Sequence, residues 1–268
     1  MQTIMNCHNR QQVQEILICA EPDSDACTIT HQCRTKYRKV RVVENNVTLG
    51  PFLNKTKAVS LCKSPWVALI DSDNVIASHF LRFTVLQQLN PNKIYCPEQG
   101  WPRLKYIEFI GEDIGLARAA QLIDNNNFTM LFNTGNYVLH RETWLKALQP
   151  VRTDTFYPHA VDVAWVNYNC LKDGMVLSVV KDCVYRHNVH KNSTYLQTAK
   201  ESAEKWEIIK SMIKEDVYGS VASTGEIQAK KQANLSPAPN WSGSGNGDRE
   251  QVGSDKRPDQ NGFDLLSN

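Results

Sequence analysis

Trp66-Val67-Ala68-Leu69-Ile70-Asp71-Ser72-Asp73-Asn74 is the stretch whose reading decides the fold. An apolar run of the length of a buried strand passes straight into two carboxylates one residue apart. If the extended conformation persists through the turn, the period of two points Asp71 and Asp73 the same way. Two carboxylates so placed repel each other unless a cation lies between them. A hard divalent ion bridging to a diphosphate meets that need, because Mg²⁺ and Mn²⁺ prefer oxygen ligands and share them with phosphates. Taken alone, the pair reads more readily as a polar turn capping the next helix, so its surroundings must decide.

Working outward, residues 16–19 form an apolar run that ends in the turn-forming Glu21-Pro22-Asp23-Ser24-Asp25. Residues 40–43 read as a second strand, followed by an Asn-rich loop to Gly50-Pro51. Residues 55–62 are helical, 66–70 form the third strand, and 78–89 form another helix. Strand, helix and strand in succession imply right-handed crossovers and an α/β fold with a mostly parallel sheet flanked by helices. Ligands of such sheets bind at the carboxyl ends of the strands, where the acids of this chain collect.

Composition sets the outer limits. The 268 residues suffice for a sizeable core, and a net charge of +2 argues against nucleic-acid binding through bulk charge. No apolar run approaches the ~20 residues of a membrane span, and the first residues lack a signal peptide's basic start and apolar core. The eight cysteines show no zinc-ligand spacing. Scattered thiols in a chain this large fit a reducing, cytoplasmic compartment better than a disulfide framework. Near the C-terminus, Ala203, Trp206, Ile209, Met212 and Ile213 recur at helical spacing, predicting an amphipathic helix over residues 199–218. From 219 to 268 the Gly-, Pro- and Ser-rich composition predicts a disordered tail.

Four segments, in order, carry a family resemblance. Val40-Arg41-Val42-Val43-Glu44-Asn45-Asn46-Val47-Thr48-Leu49-Gly50-Pro51, a helix, and the strand into Asp71-Ser72-Asp73 form the first pair. Phe132-Asn133-Thr134-Gly135-Asn136-Tyr137-Val138-Leu139-His140-Arg141-Glu142, then His159-Ala160-Val161-Asp162, then Gly174 to Leu177 with Tyr185-Arg186-His187-Asn188-Val189-His190, complete the set. Together they resemble the family-two glycosyltransferases over residues 1–198. The resemblance implies a GT-A (Rossmann-like) fold and inverting transfer from a nucleotide-diphosphate sugar donor to a carbohydrate, lipid-linked or protein acceptor. It also implies dependence on Mn²⁺ or Mg²⁺. Asp73 would bind the metal, Asp71 the metal's hydration shell or the donor ribose, and His187 would be a third ligand or a diphosphate contact. Glu21, Asp23 and Lys55 would touch the nucleotide. Asp162 would be the general base that takes the acceptor's proton. Each has a plainer alternative: His187 as a structural hydrogen bonder, Lys55 as a solvated helix-face lysine like its neighbour Lys57, and Asp162 as an acid favoured at a helix N-terminus.

The chain also departs from that family. Met1 to Cys7 already looks like the end of the family's first helix, so the first strand is expected to be missing or supplied by another segment or chain. Ala20-Glu21-Pro22-Asp23 replaces the usual acidic pair. The rival reading is a degenerate GT-A domain acting as a non-catalytic binding or structural module. Asp71, Asp73 and Asp162 oppose it, since a scaffold has no need of paired acids.

Overall fold

The computed structural model describes residues 4, 7, 10–22, 37–148, 161–188 and 198–219. In chain order these form β1 (Ile16–Ala20), β2 (Val40–Glu44), α1 (Gly50–Leu61), β3 (Trp66–Leu69), β4 (Val75–Ile76) and α2 (Phe83–Leu86). Then come β5 (Lys93–Trp101), β6 (Leu104–Lys105), β7 (Asp113–Ile114), α3 (Leu116–Leu122), α4 (Asn126–Phe132) and β8 (Tyr137–His140). α5 (Arg141–Ala147), α6 (Asp162–Lys172), β9 (Val176–Arg186) and α7 (Ala199–Tyr218) complete the order. Asp23 and the tail beyond Gly219 lie outside the described residues.

β1 and β2 pair in parallel as a two-stranded sheet, and a second sheet runs β3-β8-β5-β9-β4, with β6 added to β5 and β7 to β9. The α/β layering holds, but the larger sheet is mixed and not mostly parallel. β5 and β9 are parallel, while β8 opposes both β3 and β5, and β4 opposes β9. The expectation of parallel strands rested on crossover helices, and β8 escapes that logic. The chain leaves β5, passes through α3 and α4, and re-enters the sheet from the edge where β5 ends. That edge therefore collects the ends of β3, β5 and β9 and the beginnings of β8 and β4.

Successive residues of β5 show how the sheet divides the core. Ile94 and Cys96 join the larger apolar cluster with α3, α4, α5 and α6. Tyr95 between them joins a smaller cluster with Ile76, Phe80, Phe83, Val138 and Tyr185 on the opposite face. The helix expected over 78–89 shrinks to Phe83–Leu86, preceded by three-residue turns that close Phe80 on Ala77 and Arg82 on His79. Phe80, Leu81 and Phe83 are all buried. A regular α-helix would spread those three around its circumference, whereas tight turns deliver them into one cluster.

α7 packs against α3 and α6. Ile209 and Ile213 are fully buried and Trp206 and Met212 partly so, as the periodicity predicts. Ala203 faces solvent, and Ser202 takes the buried position instead. Tyr168 and Lys172 of α6 both bond the Asp216 carboxylate, fixing the end of this helix. Among the described residues no helix is long and apolar enough to cross a membrane.

Candidate functional site

β3 ends one residue short of Ile70, and the backbone then turns: the Asn74 amide donates to the Asp71 carbonyl at 3.1 Å. Three asparagines shape that turn. Asn136 is 1% exposed and acts with both ends of its side chain. Its Oδ1 accepts the Asp71 amide at 3.0 Å and its Nδ2 reaches the Asp71 Oδ2 at 3.4 Å. Asn74 turns its Nδ2 to the same carboxylate oxygen, while its Oδ1 accepts the amide of Asn188. The Asn188 side chain donates to the Asp73 carbonyl. A buried amide left unpaired costs about 1–3 kcal/mol, so these bonds bind the turn to the start of β8 and the end of β9.

Gly135 allows this close approach. A Cβ there would lie 2.6 Å from Asp71 Oδ2 and 2.9 Å from Oδ1. Gly135→Ala should therefore push Asp71 out of its bonds to Asn136 and destabilise the fold by about 1–3 kcal/mol, the usual range for overpacking. Urea unfolding would measure it, and an unchanged midpoint would show that the turn yields without cost.

The Lys55 side chain, carried by α1, reaches the other side of Asp71. Its ammonium lies 2.7 Å from Asp162 Oδ2 and 3.5 Å from Asp71 Oδ1, with 22% of the side chain exposed. Asp162 itself is 8% exposed and opens the first turn of α6. Burial alone would push the Lys55 ammonium down, but the charges and hydrogen bonds of Asp162 and Asp71 outweigh it and hold the lysine above its ordinary range. The Tyr137 hydroxyl lies deep in the same region without a hydrogen-bond partner. Burial first, then Cys170, Asp162, Cys96 and Asp71, push this phenol well above its ordinary range, so it stays neutral.

His187 follows β9. Its amide bonds the Trp101 carbonyl at 2.8 Å, its ring stands edge-on to Tyr185 with centroids 6.1 Å apart, and its Nδ1 is buried without a partner. Among the described residues, no three His, Cys, Asp or Glu side chains converge closely enough to enclose a metal ion. The donor set nevertheless suits an ion of the Mg²⁺ or Mn²⁺ type. Such ions commonly take one or two carboxylates and complete their shell with phosphate oxygens and water. Asp71, Asp73 and the unpartnered His187 nitrogen belong to segments bonded to one another.

Glu21 stands apart from this group. Its carboxylate accepts the amides of Leu49 and Gly50 at the start of α1, and Asn45 Nδ2 as well. An anion there favours the positive end of the helix, which begins with Gly50 at a φ of +74° and Pro51 in the first turn. Lys57 is a buttress, donating to Asn45 Oδ1 at 2.8 Å, and not the solvated lysine expected. The structure thus joins Lys55, Asp71 and Asp162, ties the Asp71–Asp73 turn to His187, and adds Asn74, Asn136 and Asn188.

No family model and no curated protein sequence matches this chain. Solved structures do match. The chain is similar to TarS 1–349 of S. aureus in complex with UDP-GlcNAc, at 13% identity and a TM-score of 0.54, covering 85% of this chain and 70% of that one. It is similar to the mannosyltransferase PcManGT from Pyrobaculum calidifontis in complex with GDP-Man and Mn²⁺, at 13% identity and a TM-score of 0.55, covering 89% and 71%. It is also similar to glucosyl-3-phosphoglycerate synthase from Mycobacterium tuberculosis in complex with UDP, at 15% identity and a TM-score of 0.51, covering 78% and 74%. At such identities the likeness is one of fold, and the fold is that of the GT-A glycosyltransferases.

Proposed function

We propose that this chain is an inverting, metal-dependent glycosyltransferase that moves a sugar from a nucleoside diphosphate to an acceptor hydroxyl. The observation that carries the reading is the Asp71–Lys55–Asp162 bridge, which joins the expected donor-side acid and the expected base through one ammonium. In this reading Asp162 takes the proton from the acceptor hydroxyl as that oxygen attacks the anomeric carbon, and the bond from that carbon to the diphosphate breaks on the opposite face. Lys55 keeps the base ionised and oriented until an acceptor competes for it. Tyr137 offers a neutral hydroxyl beneath the same carboxylates. Asp71 and Asp73, with His187 beside them, would hold Mn²⁺ or Mg²⁺, which when bound offsets charge on the leaving diphosphate. The complexes of PcManGT with GDP-Man and Mn²⁺ and of TarS with UDP-GlcNAc support this choice of donor and ion. The acceptor falls among carbohydrate, lipid-linked and protein hydroxyls. The described cysteines are all reduced thiols, which supports a cytoplasmic setting.

The metal site supplies the test. Calorimetric titration with UDP and with GDP should show binding in Mn²⁺ that weakens at least about tenfold in chelator, and Asp73→Ala should reproduce that loss with the metal present. Equal nucleotide affinity with and without chelator would remove the metal from the mechanism.

A further inference from the structure

The sheet edge that carries Asp71 and His187 also carries a group of side chains with no part in the transfer step. β5 and β9 end together, with Trp101 opposite Arg186. The Arg186 guanidinium lies over the Trp101 indole, 5.6 Å from its centroid, and Trp101 is 39% exposed. The chain then turns through Pro102 and Arg103 into β6, where Lys105 pairs with Gln99. Gln99 and Trp101 are two apart in one strand, so Lys105 shares their side of the ribbon.

Arg103, Lys105 and Arg186 are all exposed, and among the described residues none of them forms an ion pair. Neighbouring acids are turned elsewhere: Glu98 accepts the Asp182 amide, and Glu108 accepts the Asn127 side chain. Other surface cations do find partners, as Lys93 does in Asp113, Arg118 in Glu112 and Lys214 in Asp124. In a chain with 30 basic and 28 acidic residues, three unpaired cations around one exposed indole are a local concentration. Their facing matters too. Tyr185 points into the smaller core cluster, against Gly100. One residue further along each strand, Arg186 and Trp101 point to the other face, where α6 packs and begins with Asp162.

We propose that this patch is the acceptor subsite and that the acceptor is an anionic carbohydrate, a sugar or polyol bearing a phosphate group. The indole offers flat apolar surface to the C–H face of a sugar. An arginine stacked on an aromatic ring keeps its in-plane N–H groups for phosphate oxygens, and Arg103 and Lys105 add charge around the same point. The patch serves as an acceptor subsite only if the glycosyltransferase reading above holds, since its place beside the donor-side turn and on the Asp162 face gives it that role.

The full chain would be titrated calorimetrically with glucose 6-phosphate, ribitol 5-phosphate, glucose and inorganic phosphate, and separately with UDP and GDP in Mn²⁺. At least one phosphorylated ligand should bind about tenfold more tightly than either glucose or inorganic phosphate. Trp101→Ala and Arg186→Gln should each weaken that binding about tenfold, with the unfolding midpoint and the nucleotide affinity unchanged, and Trp101→Phe should restore most of the loss. Three results would overturn the proposal: no phosphorylated ligand binds, inorganic phosphate binds as tightly as they do, or the variants weaken nucleotide binding to the same extent. Sugar-phosphate binding without nucleotide binding would sink the glycosyltransferase reading and keep the patch as an anionic-carbohydrate site. The converse would sink the patch and spare the reading.

Discussion

Replacing Asp162 with asparagine is expected to abolish most sugar transfer while leaving nucleotide and metal binding nearly intact. The substitution keeps the shape of the side chain and its place in the first turn of α6. What it removes is the basicity needed to accept a proton from the attacking hydroxyl. General-base catalysis contributes about 10²–10⁴-fold, and the loss should fall on turnover rather than on donor affinity. Lys55 retains Asp71 as its counter-ion, so the variant should fold. Transfer at the wild-type rate would reduce Asp162 to an acid that favours a helix end, and the base would lie elsewhere. If the wild-type chain binds nucleotide yet turns over no donor with any acceptor, a non-catalytic binding module becomes the better account.

The second large effect concerns stability. Lys55→Met should cost about 2–3 kcal/mol, because it leaves Asp162 and Asp71 facing each other without the cation between them. Removing one partner of a buried ion pair costs about 3–5 kcal/mol, and the partial exposure of Asp71 discounts that figure. At roughly 2–4 °C per kcal/mol for a domain of this size, the melting temperature should fall by about 5–10 °C. The double variant Lys55→Met, Asp162→Asn should recover part of the loss, since the stranded charge goes with the lysine. The deficit of the single variant should shrink as pH falls into the carboxylate range and protonation removes the repulsion. In the wild type the sign runs the other way. The folded Lys55 titrates above the unfolded lysine, so its contribution is fully present below the unfolded value near 10.4 and is lost only as pH rises through the folded one. A Lys55→Met chain as stable as wild type at neutral pH would mean that the bridge contributes nothing.

The GT-A fold was legible in this chain because its markers are local: an apolar run into Asp-Ser-Asp, a glycine before a strand, an acid opening a helix. The direction of β8 was not, since antiparallel entry depends on where α4 releases the chain and leaves no trace in the strand's own composition. The asparagine clamp was equally hidden. Asn136 meets Asp71 across 65 positions and Asn188 meets Asp73 across 115, and an amide carries no period or charge pattern that announces its partner. Thr134-Gly135-Asn136 stood in a quoted motif, yet only Cβ geometry shows why the glycine is small. Lys55 was singled out for a nucleotide, and its link to Asp162, 107 positions away, emerged only from the packing of α1 beside α6. Glu21 was placed in the same hypothetical pocket, whereas its acidity is engaged by the backbone of α1.

The asparagine clamp has an electrical consequence. Because amides hold the turn, its rigidity adds no positive charge, and the cluster is left with the carboxylates of Asp71, Asp73 and Asp162 against the single ammonium of Lys55. Formally that is a deficit of two positive charges, the valence of one alkaline-earth or manganous ion. A nucleoside diphosphate arriving alone would meet repulsion, and an ion arriving alone would find half a coordination shell. Each would supply what the other lacks. By thermodynamic reciprocity, the factor by which the ion tightens the nucleotide must equal the factor by which the nucleotide tightens the ion.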